Sequence, residues 1–218
     1  MIGSAHEWHS VADREFPLFT SRSRFTDDSV LTLAIAHAIL DCEVGTQPDY
    51  LTSVLTFARK WPHAGYGGNF REWMHAVDPR PYNSWGNGSA MRVSPIGFAF
   101  DDENKVLSEA KRSAAISHDH PEGVKGAQSV ALAVFLARNG ASKETVRSRV
   151  EQEFGYDLQR SVDAIQPTYS FDVSCQGSVP EAIIAFLDSS DFESAVRNAV
   201  FLGVDADTQA CIAGGRAD

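Results

Sequence analysis

Two runs of the chain are apolar on almost every face, and they restrict its fold more than any other feature. Residues 29–40 read Ser-Val-Leu-Thr-Leu-Ala-Ile-Ala-His-Ala-Ile-Leu, and residues 126–138 read Gly-Ala-Gln-Ser-Val-Ala-Leu-Ala-Val-Phe-Leu-Ala-Arg. A helix without a polar face has to be surrounded by other elements. Neither run reaches the roughly 20 apolar residues that cross a bilayer.

The elements available to surround them are also helical. Pro48 opens a run with Leu51, Val54, Leu55 and Ala58 at helical spacing, which Pro62 stops. Phe70 to Val77 is a short amphipathic piece, and a helix is expected from Ala90. Residues 104–117 look helical, and Ser142 opens a charged amphipathic helix to Phe154. Pro180 is read as starting a helix through Leu187, and Asp191 as capping 192–202. Gln209 to Ala213 begins a last one. The stretches 62–90 and 155–180, rich in Gly and Pro, read as loops. Strand signals are scarce. The expectation is an all-α chain of roughly eight helices, in one compact domain over 1–218.

The net charge of -10 disfavours nonspecific binding to nucleic acid or to an anionic membrane. Cys42, Cys175 and Cys211 are odd in number and widely spaced, so they read as buried, reduced thiols. The first residues show no basic segment followed by an apolar one, and the expected location is the cytoplasm.

Chemistry concentrates at the edges of the apolar runs. Thr26-Asp27-Asp28 precedes the first, and Asp205-Ala206-Asp207-Thr208 lies at the other end of the chain. Such residues cap helices and complement the helix dipole, which accounts for Thr26-Asp27-Asp28 taken alone. Capping needs one oxygen ligand, however, and the second cluster supplies three in four residues. Together, four carboxylates and two hydroxyls form the all-oxygen set that Mg²⁺ or Mn²⁺ prefers, and the lack of Cys and His argues against zinc.

Three further segments stand out. Trp85-Gly86-Asn87-Gly88-Ser89 is either a tight turn or a loop whose amides approach an anion. Ser117-His118-Asp119-His120-Pro121-Glu122 is a loop carrying either a substrate contact, a His-Asp metal pair, or structural histidines. Glu7 is by default an exposed carboxylate, and beside a metal it would be a general acid or base. Asp101-Asp102-Glu103 reads as a solvated face.

These segments, in this order, resemble the ADP-ribosylglycohydrolase family, which includes the dinitrogenase reductase-activating glycohydrolase. Arg24-Phe25-Thr26-Asp27-Asp28-Ser29 is similar to the family's Thr-Asp-Asp-Thr segment. Trp85 to Arg92 resembles its Gly-Asn-Gly-Ser/Ala-Ala-Met-Arg segment. Ser117 to Glu122 resembles Thr/Ser-His-x-His-Pro, and Leu202 to Thr208 the terminal Gly-Gly-Asp-x-Asp-Thr.

The resemblance implies an all-α orthogonal bundle with two Mg²⁺ or Mn²⁺ ions held by Thr26, Asp27, Asp28, Asp205, Asp207 and Thr208. It implies that Asn87, Gly88, Ser89 and His118 contact ADP-ribose, and that Glu7, Asp28 and Asp205 act in catalysis. The implied reaction is hydrolysis of the N- or O-glycosidic bond between ADP-ribose and an acceptor, with arginine favoured. The implied partner is an ADP-ribosylated protein or a small ADP-ribose conjugate.

Three departures from the family pattern bear on this. The Gly-Asp pair that the family carries shortly before Gly3-Ser4 is missing, and relatives continue past the helix after Thr208, so the domain reads as abbreviated at both ends. Val204 stands where the family has a glycine, which can take a positive φ that a β-branched residue resists. The departures motivate a second reading, a catalytically impaired ADP-ribose-binding or structural relative. A third, a phosphohydrolase built on His118-Asp119, leaves both acidic clusters unexplained.

Overall fold

The computed structural model describes residues 2–7 and 11–215, and the described residues form eleven α-helices and no strand. At the centre runs α6 (Pro121–Arg138), the second apolar run, extended toward its N-terminus by five residues. Pro121 occupies the first helical turn, where its missing N–H costs nothing. The His120 side chain caps the helix by accepting from the Glu122 N–H, so the expected loop ends at His120. Around α6 pack α4 (Ser94–Ala99), α5 (Glu103–Ala115), α7 (Lys143–Phe154) and α9 (Cys175–Leu187).

The first apolar run is α1 (Asp27–Leu40), which packs on α2 (Tyr50–Lys60), on α4, and on α11 (Ala206–Gly214). α3 (Gly68–His75) lies against α2, while α8 (Val162–Ile165) and α10 (Phe192–Leu202) lie against α9. The buried side chains form one continuous hydrophobic core.

Besides the earlier start of α6, three helix starts lie three or more residues from the sequence reading. α9 begins at Cys175, not at Pro180, because Ser174 caps it by accepting from the Gly177 N–H. Pro180 then sits inside the helix, and Gln176, whose carbonyl loses its partner, is exposed. No α-helix starts at Ala90: a 3₁₀ turn over Asn87–Ser89 precedes it, and α4 opens with Ser94-Pro95. α11 starts at Ala206, so Asp207 and Thr208 belong to its first turn. Of the three free cysteines, Cys175 is buried as expected, whereas Cys42 and Cys211 are only half-buried. No described helix is long and apolar enough to cross a membrane.

Candidate active site

The packing of α1 on α11 brings the two acidic clusters together. Carboxylate oxygens of Asp27, Asp28 and Asp207 lie within 4.8 Å of one another. Capping does not account for them. Thr26 and Asp205 occupy the cap positions of these helices, yet neither side chain makes a capping hydrogen bond. Asp49, Asp102, Ser142, Ser161, Ser174 and Asp191 all make one at their helices. Thr26 Oγ1 donates instead to Asp28 Oδ2 at 2.9 Å.

The electrostatics of this arrangement are unfavourable as it stands. Burial, then the charge of Asp207, pushes Asp27 up to about 7. Burial, then Asp207 and Asp27, pushes Asp28 well above the ordinary aspartate range. Burial, then Asp207, takes Asp205 to about 7, with the Asn87 hydrogen bond opposing. Oδ1 of Asp28 and Oδ1 of Asp207 are buried without a hydrogen-bond partner among the described residues. Crowded carboxylates with vacant lone pairs either take up protons or accept a counter-charge, and this all-oxygen donor set could hold a hard divalent cation.

Above the carboxylates opens a cavity of about 470 Å³. Asp27, Asp205, Asp207 and Thr208 lie at its floor with Glu7, and Asn87, Gly88 and His118 also reach its wall. Thr26 and Asp28 are buried and do not line it. Glu7 is placed by the N-terminal turn Gly3–Ala5, which packs on α11. Gly3 has to be glycine, because a Cβ there would lie 2.0 Å from the Ala206 carbonyl oxygen. The Glu7 carboxylate meets the exposed Arg24 guanidinium at 3.3 Å.

The loop Trp85–Ser89 is tied to the start of α9. Asn87 N–H donates to the Val173 carbonyl, and Cys175 N–H to the Trp85 carbonyl, both at 2.8 Å. Asn87 Nδ2 donates to Asp205 Oδ2 at 2.7 Å, so this side chain orients a floor carboxylate. The expected role of Ser89 needs correcting. Its side chain is fully buried off the cavity, and its hydroxyl donates to the Gly123 carbonyl at 2.7 Å.

His118 and Asp119 diverge: His118 lines the cavity, while Asp119 accepts from Asn83 N–H on the exposed side at 2.7 Å. Among the described residues, the only three-ligand acidic, His or Cys group is Asp27, Asp28 and Asp207. The His-Asp phosphohydrolase reading fails on both counts.

Sequence reasoning missed much of the wall. Gly65, Gly67, Gly68 and Asn69, at the start of α3, form one side, and Phe70, Tyr82, Ser84, Met91, Phe171 and Val173 supply much of the rest. The one available signal was the Gly-rich, aromatic composition of 62–90.

The sequence profile of the family described as ADP-ribosylglycohydrolase matches residues 2–217. The chain belongs to the ADP-ribosylglycohydrolase family. The ADP-ribosylhydrolase ARH3 of Mus musculus is 31% identical over 159 residues, which are 64% of this chain and 43% of that protein. The ADP-ribosylarginine hydrolase Tri1 of Pseudomonas putida GB-1 is 30% identical over 165 residues, 71% of this chain and 41% of that protein. The match thus spans less than half the length of either relative. A solved structure described as an ADP-ribosylglycohydrolase-related protein complex superposes with a TM-score of 0.70 at 26% identity, covering 98% of this chain and 76% of that one. The ADP-ribosylglycohydrolase fold therefore underlies the whole described chain.

Proposed function

We propose that this protein hydrolyses the glycosidic bond between ADP-ribose and a modified acceptor, with Mg²⁺ or Mn²⁺ at the buried carboxylates. The observation that carries the reading is the meeting of two uncapped acidic clusters beneath a cavity of about 470 Å³. A volume of that order suits one small ligand bound in a cleft.

Thr26, Asp27, Asp28, Asp205, Asp207 and Thr208 are the residues that would hold one or two ions. A bound divalent cation in such a site polarises ligand oxygens and makes water more acidic. The chain's own groups do the remaining work. Asn87 holds Asp205 in place. The backbone of Gly67 and Gly68, with open space where a Cβ would stand, lets a diphosphate approach the N-terminus of α3. Phe70, Tyr82 and Phe171 offer ring surface to a purine. Glu7 is the carboxylate near the floor that can take a proton from water or return one to the leaving group.

Because the relative Tri1 is an ADP-ribosylarginine hydrolase, an arginine-linked conjugate is the first to try, ahead of serine. Turnover of ADP-ribosyl-arginine and ADP-ribosyl-serine peptides with Mg²⁺, and then with EDTA, tests the reading. Metal-dependent release of ADP-ribose is expected, and Asp27→Ala or Asp207→Ala is expected to abolish it. Calorimetric titration separates the rival reading. ADP-ribose binding without turnover of any acceptor would leave a catalytically impaired relative, and full activity in either Asp variant would remove the metal assignment.

A further inference from the structure

One buried cation lies behind the cavity without a carboxylate. Arg92 is fully buried; Nη2 donates to the Ser113 carbonyl at 2.7 Å and to Ser117 Oγ at 3.1 Å. Its Nε and Nη1 have no hydrogen-bond partner among the described residues. Burial pulls the guanidinium down to about 10, so it stays charged at neutral pH. An uncompensated buried charge is destabilising, and packing alone would be better served by an apolar side chain. What Arg92 reaches is a histidine: Ser117 Oγ lies 2.8 Å from His118 Nδ1, and His118 lines the cavity.

We propose that Arg92 is a positioning residue that acts through Ser117 to hold His118 in the neutral tautomer with its proton on Nε2, making His118 a fixed hydrogen-bond donor to the bound ligand.

The direction of the chain follows from donor counting. A guanidinium only donates, so Ser117 Oγ accepts from Arg92. The Ser117 side chain is buried, and its own hydrogen needs an acceptor. Among its partners, His118 Nδ1 is the one atom able to accept. Were Nδ1 protonated, Ser117 would receive two hydrogens and its hydroxyl would be stranded, at a cost of about 1–3 kcal/mol. Nδ1 is therefore the acceptor and Nε2 bears the proton.

Burial first, and the Arg92 charge second, hold His118 well below its ordinary range, so the ring is neutral. Its Nε2 faces the Gly86–Gly88 backbone, where a Cβ on Gly88 would come within 3.1 Å of it, and makes no hydrogen bond among the described residues. A neutral ring with Nε2–H offers a donor to a phosphate or ribose oxygen and no lone pair for abstracting a proton there. The identity of that ligand rests on the function proposed above, whereas the tautomer does not.

The test separates the two. The full chain is labelled with ¹⁵N,¹³C-histidine, and His118 is assigned by the signal lost in His118→Gln. Without ligand, the wild type is expected to show a protonated Nε2 and an unprotonated Nδ1. Ser117→Ala removes the donor to Nδ1 and is expected to give a mixture of tautomers, with ADP-ribose affinity about tenfold weaker. Ser117→Thr, which keeps the hydroxyl, is expected to restore both. A wild-type Nδ1–H signal, or a Ser117→Ala protein with the wild-type tautomer and affinity, overturns the proposal. Arg92→Lys, checked for folding by its thermal melt, is expected to loosen the tautomer as Ser117→Ala does. The expected tautomer in a wild type that does not bind ADP-ribose would overturn the ligand reading while the histidine assignment stands.

Discussion

Backbone strain is concentrated just before the second acidic cluster. Gly203 has φ +86° and ψ −173°, a combination essentially reserved for glycine, and Val204 follows at φ +59°. Left-handed backbone is costly for a β-branched side chain, of order 1–3 kcal/mol. The half-buried Val204 side chain recovers part of that, and a glycine would add flexibility to the unfolded chain. Val204→Gly is expected to stabilise the protein by about 1 kcal/mol, a rise of about 2–4 °C in the thermal midpoint. Gly203→Ala is expected to lower the midpoint. Equal midpoints for Val204→Gly and wild type would show that the turn does not carry this strain. The strain places Asp205, so these variants also report how tightly the floor carboxylates depend on the turn that delivers them.

Elements were legible in the sequence where a local signal decided them. α1 and α10 begin and end within about two residues of their sequence patterns, α10 because its Asp191 cap and apolar periodicity agree, and α1 because its apolar run is continuous. The start of α9 was misread because Pro180 is a strong local signal that the Ser174 cap and deep burial override. The acidic clusters were legible because each is compact in sequence and does not depend on where the chain goes next. The cavity wall was not, since Phe70, Tyr82, Met91, Phe171 and Val173 meet only through packing of distant segments. Glu7 is an intermediate case: its residue type suggested chemistry, and only the docking of the Gly3–Ala5 turn on α11 shows how it reaches the floor. Gly3→Ala therefore tests an element contact. The added Cβ collides with the Ala206 carbonyl, and the turn is expected to lift while the helical core stays folded. Hydrolysis of an ADP-ribosyl substrate should drop by about tenfold or more with little change in helical circular dichroism, because misplacing a reacting group is costly. Unchanged turnover would detach Glu7 from the reaction.

At the scale of the whole molecule, the carboxylate floor links folding to protons and, on the proposed function, to a divalent cation. Asp27 and Asp205 move from an ordinary 3.8 to about 7 in the folded, metal-free chain. Between those values the folded state holds more protons than the unfolded one, so stability falls as pH rises through that window. This is the reverse of the usual paired carboxylate, which stabilises as it ionises. On the proposed function, a divalent cation would compete with the same protons and bind the folded form, adding about 2.7 kcal/mol at a hundredfold excess over Kd. In EDTA, the thermal midpoint is expected to fall between pH about 5 and about 7.5, and Mg²⁺ is expected to raise it most at the upper end. The control is Asp27→Asn with Asp205→Asn, which removes two of the crowded charges. That protein is expected to lose most of the EDTA slope and most of the Mg²⁺ response together, since both arise from the same carboxylates. A double variant that keeps the wild-type slope would place the pH dependence on groups other than Asp27 and Asp205, with Asp28 the first of them. One that loses the slope but keeps the full Mg²⁺ response would take Asp27 and Asp205 out of the metal site.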